Sequence, residues 1–293
     1  MTILNFGSIC IDHVYRVPHF VRPGESLAAL NYEIFAGGKG LNQSLAIARA
    51  GGKVSHAGSV GEDGRWLIEK LQREDVDVAG IVFSSTSTGH ARIQVDSSGE
   101  NAIVLVAGAN RTIRPEDIDE VMLRFGRGDL LLLQNEVNHL ETLLRCGKTR
   151  GMHIVFNPAP MDGLAKALPL ELVDLLIVNE LEAAGLTGVD DVESMLSAMC
   201  KRLPNTTVVL TLGSQGAYWQ SADQQFHTKA LPVQAVDTTG AGDTFIGYLV
   251  ASLEQGNSPE QAMQRAAKAA ALCVTRPGAA DSIPDRSEVD PTG

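Results

Sequence analysis

The sequence has no long apolar run. No stretch approaches the roughly 18 consecutive apolar residues that a membrane span needs, which argues against a membrane partner. Residues 1–6 place no basic charge ahead of an apolar segment, so no export signal is visible. Cysteine is scarce: Cys10, Cys146, Cys200 and Cys273 are widely scattered, in neither zinc-ligand spacing nor a disulfide framework. These absences predict a reduced, cytoplasmic setting. Basic runs are missing too. The chain carries 24 Lys and Arg against 35 Asp and Glu, a formal net charge of −11, with no basic patch studded with aromatic rings. Nucleic acid is therefore not expected as the main partner. The histidines (His13, His19, His56, His90, His139, His153 and His227) show no metal-binding spacing, and they, Trp66 and Trp219 are assigned packing or surface roles. Two nucleotide fingerprints are also absent. No G-x-G-x-x-G follows the first strand-like segment at 3–8, against a Rossmann dinucleotide site, and no G-x-x-x-x-G-K-[ST] loop occurs.

What is present is enough apolar residue, 44% of 293, to build one α/β core spanning residues 1–293. The chain is organised around Asp237-Thr238-Thr239-Gly240-Ala241-Gly242-Asp243-Thr244-Phe245, which follows the strand-like residues 233–236 and opens an apolar helical run. Gly240 and Gly242 let the backbone turn sharply and bring N–H groups close to a ligand. A helix's first turn leaves N–H groups unpaired at the positive end of its dipole, which makes an anion site. Asp243 repels anions and is a poor phosphate ligand there. It is suited to take a proton from a hydroxyl beside a phosphate. Simple capping of the helix is the alternative role for the same residue.

Elsewhere, residues 14–36 and 90–107 have the texture of short β excursions, the second a hairpin around the turn at 96–101. Between them Ala36-Gly37-Gly38-Lys39-Gly40-Leu41-Asn42-Gln43-Ser44 reads as a glycine-rich loop entering a helix at 45–49. After Gly108 strands at 130–133, 153–156, 175–178 and 207–210 alternate with helices at 115–125, 139–148 and 193–202. Continuous apolar strands separated by helices predict a parallel sheet covered on both faces. Several strands end in polar groups: Gln134-Asn135-Glu136, Asn157, Asn179-Glu180-Leu181-Glu182 and Thr211. That pattern suggests a shared ligand edge. Asp12 is expected just past the carboxyl end of the first strand. A last helix is expected from Pro259 to about Val274.

Gly37-Gly38-Lys39-Gly40-Leu41-Asn42 and Asp237-Thr238-Thr239-Gly240-Ala241-Gly242-Asp243-Thr244-Phe245 resemble, in order and spacing, the two signature motifs of the ribokinase family of sugar and nucleoside kinases. Asn179-Glu180-Leu181-Glu182 is similar to that family's N-x-x-E motif. Asn157-Pro158-Ala159-Pro160, Thr211-Leu212-Gly213-Ser214-Gln215-Gly216 and Thr275-Arg276-Pro277-Gly278-Ala279 also resemble ribokinase segments. The resemblance spans nearly the whole chain and is more specific for the family than for the sugar. It implies a three-layer α/β/α core with a mostly parallel sheet, plus a small β-sheet lid from roughly 13–36 and 88–107 that often pairs with a second subunit's lid, hence a homodimer. It implies transfer of the ATP γ-phosphoryl group to a terminal sugar hydroxyl, with D-ribose, giving ribose 5-phosphate, as the leading substrate. Asp243 would be the base at the acceptor hydroxyl, and the amides from Gly240, Ala241, Gly242 and Asp243 the anion hole. Asp12, Gly38, Asn42 and Glu136 would hold the sugar, with Lys39 near the phosphates. Thr211, Leu212, Gly213, Ser214, Gln215 and Gly216, with Asn179 and Gly242, would line the ATP site. Asn179 and Glu182 would organise Mg²⁺ through waters. Asp237, Thr239, Cys273, Arg276, Gly278 and Ser282 match the positions of a K⁺ site.

One position departs from the family pattern. Ribokinases generally have Asn two residues before the sugar-binding Asp, and this chain has Cys10 before Asp12. A thiol is a weak hydrogen-bond partner, so a sugar hydroxyl loses a contact or the substrate differs. A kinase for another pentose, a hexose or a nucleoside is the alternative within the class. A non-catalytic sugar or nucleotide sensor on the same fold is the alternative outside it. Such a sensor could lose Asp243 or Glu182, and both are present.

Overall fold

A computed structural model describes residues 2–291 and divides the strands between two sheets. The chain begins with β1 (Ile3–Phe6), β2 (Cys10–Arg16), β3 (Asn31–Gly37), α1 (Lys39–Arg49), β4 (Val54–Gly61), α2 (Arg65–Arg73), β5 (Asp77–Ser84), β6 (Gly89–Val95) and β7 (Asn101–Val106). It continues with α3 (Pro115–Met122), β8 (Leu130–Gln134), α4 (Leu140–Thr149), β9 (His153–Asn157), α5 (Gly163–Ala167), β10 (Leu175–Asn179), α6 (Glu180–Thr187) and α7 (Val192–Arg202). Then come β11 (Thr207–Thr211), the hairpin β12 (Ala217–Gln220) and β13 (Gln225–Thr228), α8 (Ala241–Glu254), α9 (Pro259–Cys273) and α10 (Arg286–Val289).

Successive strand side chains point to opposite faces, so a strand apolar at every position needs a cover on both sides. Ile3, Leu130 and Leu132 pack on one face with residues of α1, α2, α8 and α9. Leu4, Phe6, Leu131 and Leu133 pack on the other with residues of α3, α4, α6 and α7. The result is a three-layer α/β/α core around a nine-stranded sheet, ordered β13-β12-β11-β10-β9-β8-β1-β4-β5. Its strands are parallel from β5 through β11, and the hairpin β12–β13 closes one edge antiparallel. The second sheet has four strands, ordered β3-β2-β6-β7.

The strands expected at 130–133, 153–156, 175–178 and 207–210 are β8 to β11. Three expectations change. The small sheet begins at Cys10, so Asp12 belongs to a strand of that sheet and does not follow the core strand. The glycine-rich loop is the helix itself: α1 starts at Lys39, with Gly38 as its cap at φ 92°. Leu41 donates its N–H to Ser8 O (2.9 Å) and is fully buried, which holds this first turn on the core. Residues 233–236 form no strand. The N–H groups of Val236 and Asp237 both donate to Val274 O at the end of α9, and the side chains of Val233 and Val236 are exposed. No neighbouring strand or buried face holds this segment in a sheet. Strand β4 gave little sequence signal because its Ser55, His56, Gly58 and Ser59 replace the usual apolar run, although all eight of its residues are buried.

Helices α1 and α8 cross at small residues. A Cβ on Gly247 would overlap that of Ala46 and stand 3.0 Å from Gln43 O. Helix propensity alone favours Ala over Gly by about 1 kcal/mol, whereas overpacking a tight contact costs about 1–3 kcal/mol. Gly247→Ala is therefore expected to lower unfolding free energy in urea titration. A gain in stability would show that the two helices have room at this crossing.

Candidate functional site

Topology places the site. The chain leaves β1 toward β4 and β5 on one side and later returns through β8 on the other. Connections diverge where strand order reverses in this way, opening a crevice at the strands' carboxyl ends. Ser8, Gln134, Glu136, Asn157, Asn179 and Thr211 all lie at or just beyond those ends. The four-stranded sheet adds Asp12 from β2.

Asp243 sits in the first turn of α8 and is buried. The turn needs glycine: Gly240 has φ 77°, and a Cβ there would stand 3.0 Å from Ala279 Cα. As first-turn positions, Gly242 and Asp243 have no intrahelical acceptor for their N–H groups. The Asp243 carboxylate is held from α1. Asn42 Nδ2 donates to Oδ2 (3.1 Å) and Gln43 Nε2 donates to Oδ1 (2.9 Å). Asn42 Oδ1 and Thr244 Oγ1, both buried, have no partner among the described residues. Such groups cost free energy unless a ligand or water meets them.

A cavity of about 260 Å³ lies over this turn, lined by Lys39, Asn157, Glu182, Thr211, Gly240, Gly242 and Asp243 among others. It adjoins a wider cleft of about 580 Å³ that shares Lys39, Asn179 and Glu182 and extends over Met161, Lys166 and Leu181. Lys39 is the cation of the site. Asp243, and after it Glu136 and Glu182, raise its pKa against the opposing effect of burial.

The four carboxylates differ in setting. Burial raises the pKa of Glu136, while Lys39 opposes the rise. Its Oε2 accepts hydrogen bonds from Ser8 Oγ and from Lys39 N (3.0 Å). Burial, then Glu136 and Asp243, push Asp12 up to about 6. Gly37, opposite Cys10 on the neighbouring strand β3, must lack a side chain, because a Cβ would overlap the Asp12 carboxylate. Burial raises Glu182, and its carboxylate is locked in a capping box. Oε2 accepts from Asn179 N (3.0 Å), Oε1 from Asn179 Nδ2 (3.0 Å), and Glu182 N donates to Asn179 Oδ1 (2.8 Å). Asn179 thus spends its side chain positioning Glu182.

Cys10 lies beside this group. Burial, Glu136 and Asp12 hold its thiol in the neutral form, and Asn110 Nδ2 reaches its sulfur at 3.4 Å. The same Asn110 pairs with both N and O of Ile9 (2.9 Å each), fixing the strand that carries Cys10. Gly38 packs against this segment, within 3.0 Å of Cys10 N for an added Cβ.

The positions expected around a monovalent cation gather under the α8 turn. Asp237 accepts from Thr239 N and Gly278 N, both at 2.9 Å, and so ties two loops together. Cys273 Sγ lies 3.1 Å from Ser282 Oγ and 4.0 Å from Thr239 O. The Arg276 side chain turns away to pair with Glu288, leaving only its backbone for the group. In the expected nucleotide segment, Thr211 faces the cavity, Leu212 and Gly216 are buried, and Gly213, Ser214 and Gln215 form an exposed turn. Gln134 was noted in the sequence as one of the polar strand ends, whereas Gln43, Ser8 and Asn110 were given no role. Of these three only Gln43 carried a signal, its adjacency to Asn42, because Ser8 and Asn110 meet the site through chain reversals.

Residues 2–286 match the family described as pfkB family carbohydrate kinase. The chain is 38% identical to a ribokinase of Haemophilus influenzae, covering 98% of this chain and 96% of that one. It is 34% identical to a deoxyribokinase of Salmonella typhi, covering 97% and 96%. The structure of an Arabidopsis thaliana ribokinase complexed with ribose and ATP superposes with a TM-score of 0.88 at 30% identity, over 98% of this chain and 97% of that one.

Proposed function

The chain belongs to the pfkB family of carbohydrate kinases, phosphotransferases with an alcohol acceptor, and we propose that it moves the γ-phosphoryl group of ATP to the terminal hydroxyl of a pentose, D-ribose foremost. The observation that carries this is Asp243: a carboxylate in the first turn of α8, gripped by two amides, facing Lys39 across one cavity. Asp243 accepts the proton of the acceptor hydroxyl. The freed oxygen bonds to the γ-phosphorus as the bond to the bridging oxygen breaks, and ADP leaves. The N–H groups of the Gly240–Asp243 turn stabilise the charge carried on the transferring oxygens, and Lys39 adds a positive charge beside them. Thr211 to one side, with Leu212, Gly213, Ser214, Gln215 and Gly216, forms the ATP wall. Asp12, Glu136, Asn42 Oδ1 and the Gly38 backbone offer acceptors to sugar hydroxyls.

Glu182 fits a Mg²⁺ held through waters. Its oxygens already carry hydrogen bonds from Asn179, and a hard cation that keeps its waters asks only for an outer-sphere carboxylate. Mg²⁺ bound there would neutralise phosphate charge. Asp237 with the carbonyls around Thr239, Cys273, Arg276 and Gly278, and with Ser282, is an oxygen-rich set suited to K⁺, which would brace the anion-hole turn. A second substrate reading is deoxyribose, and Cys10 favours it: a neutral thiol beside Asp12 offers a hydroxyl little, so a sugar lacking one hydroxyl loses less there. We also propose a homodimer through the small sheet. All six residues of its edge strand β7 are exposed, with Val104 and Leu105 each 65% exposed and Tyr32 and Ile34 about half exposed on β3. An exposed apolar edge of this kind invites pairing with a second copy.

The test is ADP release with ATP and Mg²⁺ across ribose, deoxyribose, fructose and adenosine, in K⁺ and in Na⁺. Ribose turnover that falls in Na⁺ is expected. A preference for deoxyribose that Cys10→Asn reverses would establish the second reading, and preference for fructose or adenosine would overturn both. Asp12 sets a pH dependence. Its raised pKa of about 6 means that kcat/KM for the sugar should fall about tenfold per pH unit below about 6, as the ionised acceptor is lost. The sign separates this from acid unfolding. A carboxyl raised above its ordinary 3.8 adds stability that is fully present below that value and is lost as pH rises through about 6. A flat kcat/KM between pH 5 and 7 would remove Asp12 from sugar binding. In solution the mass should be twice the 31.2 kDa of the chain, and Leu105→Lys should halve it, both read by light scattering. A wild-type monomer would rule out the dimer.

A further inference from the structure

Behind Asp243 lies a run of polar side chains that phosphoryl transfer as described does not use. Asn5, Gln43, Ser44, His56 and Gln134 are all fully buried, in the middle of an apolar core. Gln43 Nε2 donates to Asp243 Oδ1 (2.9 Å), and Gln43 Oε1 accepts from Gln134 Nε2 (2.7 Å). Gln134 Nε2 also donates to Asn5 Oδ1 (2.9 Å), and Asn5 Nδ2 donates to Gly40 O and Ser44 Oγ (2.8 Å each). Ser44 in turn meets His56 Nδ1 at 2.8 Å, and burial lowers His56 to about 4, leaving it neutral.

The orientation of every amide follows from one end. An ionised carboxylate only accepts, so Gln43 must present its nitrogen to Asp243 and its oxygen to Gln134. Gln134 must then present its nitrogen to Gln43 and to Asn5. The arrangement carries a cost. Gln134 Oε1 has no partner among the described residues, and it occupies the space where a side chain on residue 7 would be, so only glycine fits there. Apolar residues of the same shape would fill this core without that penalty.

We infer that Gln43 and Gln134 are positioning residues for the base: Gln134 orients Gln43, and Gln43 holds the Asp243 carboxylate toward the acceptor hydroxyl. The tie runs from the central strands β1 and β8 to the first turn of α8. It sets the carboxylate's angle independently of the sugar, through Oδ1, while Asn42 holds Oδ2 from the sugar side. This rests on Asp243 being the base, so the experiment separates the two ideas.

Asp243→Asn, Gln43→Met, Gln134→Met and the Gln43→Met/Gln134→Met double variant are compared by kcat, by KM for sugar and ATP, and by thermal melting. Met keeps the length and removes the donor. Asp243→Asn should lose about 10²- to 10⁴-fold in kcat, the usual contribution of a positioned base. Gln43→Met should lose about 10- to 100-fold in kcat, the range of a hydrogen bond to a charged group, with both KM values within about threefold of wild type. A purely structural role would lower the melting temperature and leave kcat intact below it. Because Gln134 acts through Gln43, the double variant should be no slower than Gln43→Met. If Gln43→Met does not fold, Gln134→Met alone is read by the same kcat and KM criteria. Near-normal kcat in the Gln variants with an inactive Asp243→Asn would overturn the positioning role and leave the base standing. Multiplying losses in the double variant would overturn the order of action. Near-normal turnover in Asp243→Asn would overturn the base itself.

Discussion

Everything in the site depends on one contact between two helices. Asp243 belongs to α8, yet its carboxylate is held by Asn42 and Gln43 of α1, a partnership two hundred residues apart in sequence. The contact exists because Gly247 lets α8 approach Ala46, and because Gly40 lets the start of α1 lie on the backbone of residues 7 and 8. At these two positions the absence of a side chain sets the distance between functional groups. Packing density and chemistry are coupled here, since a shift of the α1–α8 crossing would move the hydrogen-bond donors relative to the carboxylate they hold.

Electrostatics then divides the labour among acids that look alike on paper. Glu136, Glu182 and Asp243 act on the half-buried Lys39, and Asp12 lies beside Glu136 and Asp243. Their environments differ: Asp12 is pushed up to about 6 by burial and then by Glu136 and Asp243, while Glu136 and Glu182 rise through burial, opposed by hydrogen bonds and by Lys39. Asp243 is the acid that combines two side-chain amides with the positive end of a long helix. A site that gathers so much negative charge also needs positive charge to admit a phosphate, and Lys39 supplies it from the start of α1.

Much of this was legible from residues alone where local rules apply. The apolar strands β8 to β11 announced themselves by continuous hydrophobicity and their polar ends, and Gly240-Ala241-Gly242-Asp243 by the backbone demands of a helix start. Other elements were not legible. β4 hid because serine, histidine and glycine interrupt its apolar run, with Ser55 bonded to Asp77 and His56 Nδ1 to Ser44 only once the chain is folded. Residues 233–236 looked like a strand because β-branched residues favour extended backbone, and tertiary contacts with the end of α9 decided otherwise. Asp12 changed address, from the edge of the core sheet to a strand of the small sheet, because strand pairing with Phe35 and Ala91 cannot be read from its own neighbours.

By itself the sequence determined the composition of the site: which acids, which lysine, which glycines, and the family to which their spacing belongs. Those are properties of local backbone chemistry and residue type, and they need no third dimension. The tertiary structure decided how the groups act on one another. It made Asn179 the clamp of Glu182, placed neutral Cys10 beside Asp12 under the hold of Asn110, and ran Asn5, Gln134 and Gln43 in a line to Asp243. Such pairings depend on strand order and helix crossing. The reversal of the sheet at β1 brings residues 5, 43, 134 and 243 within hydrogen-bonding distance, and no segment of the chain carries that information alone.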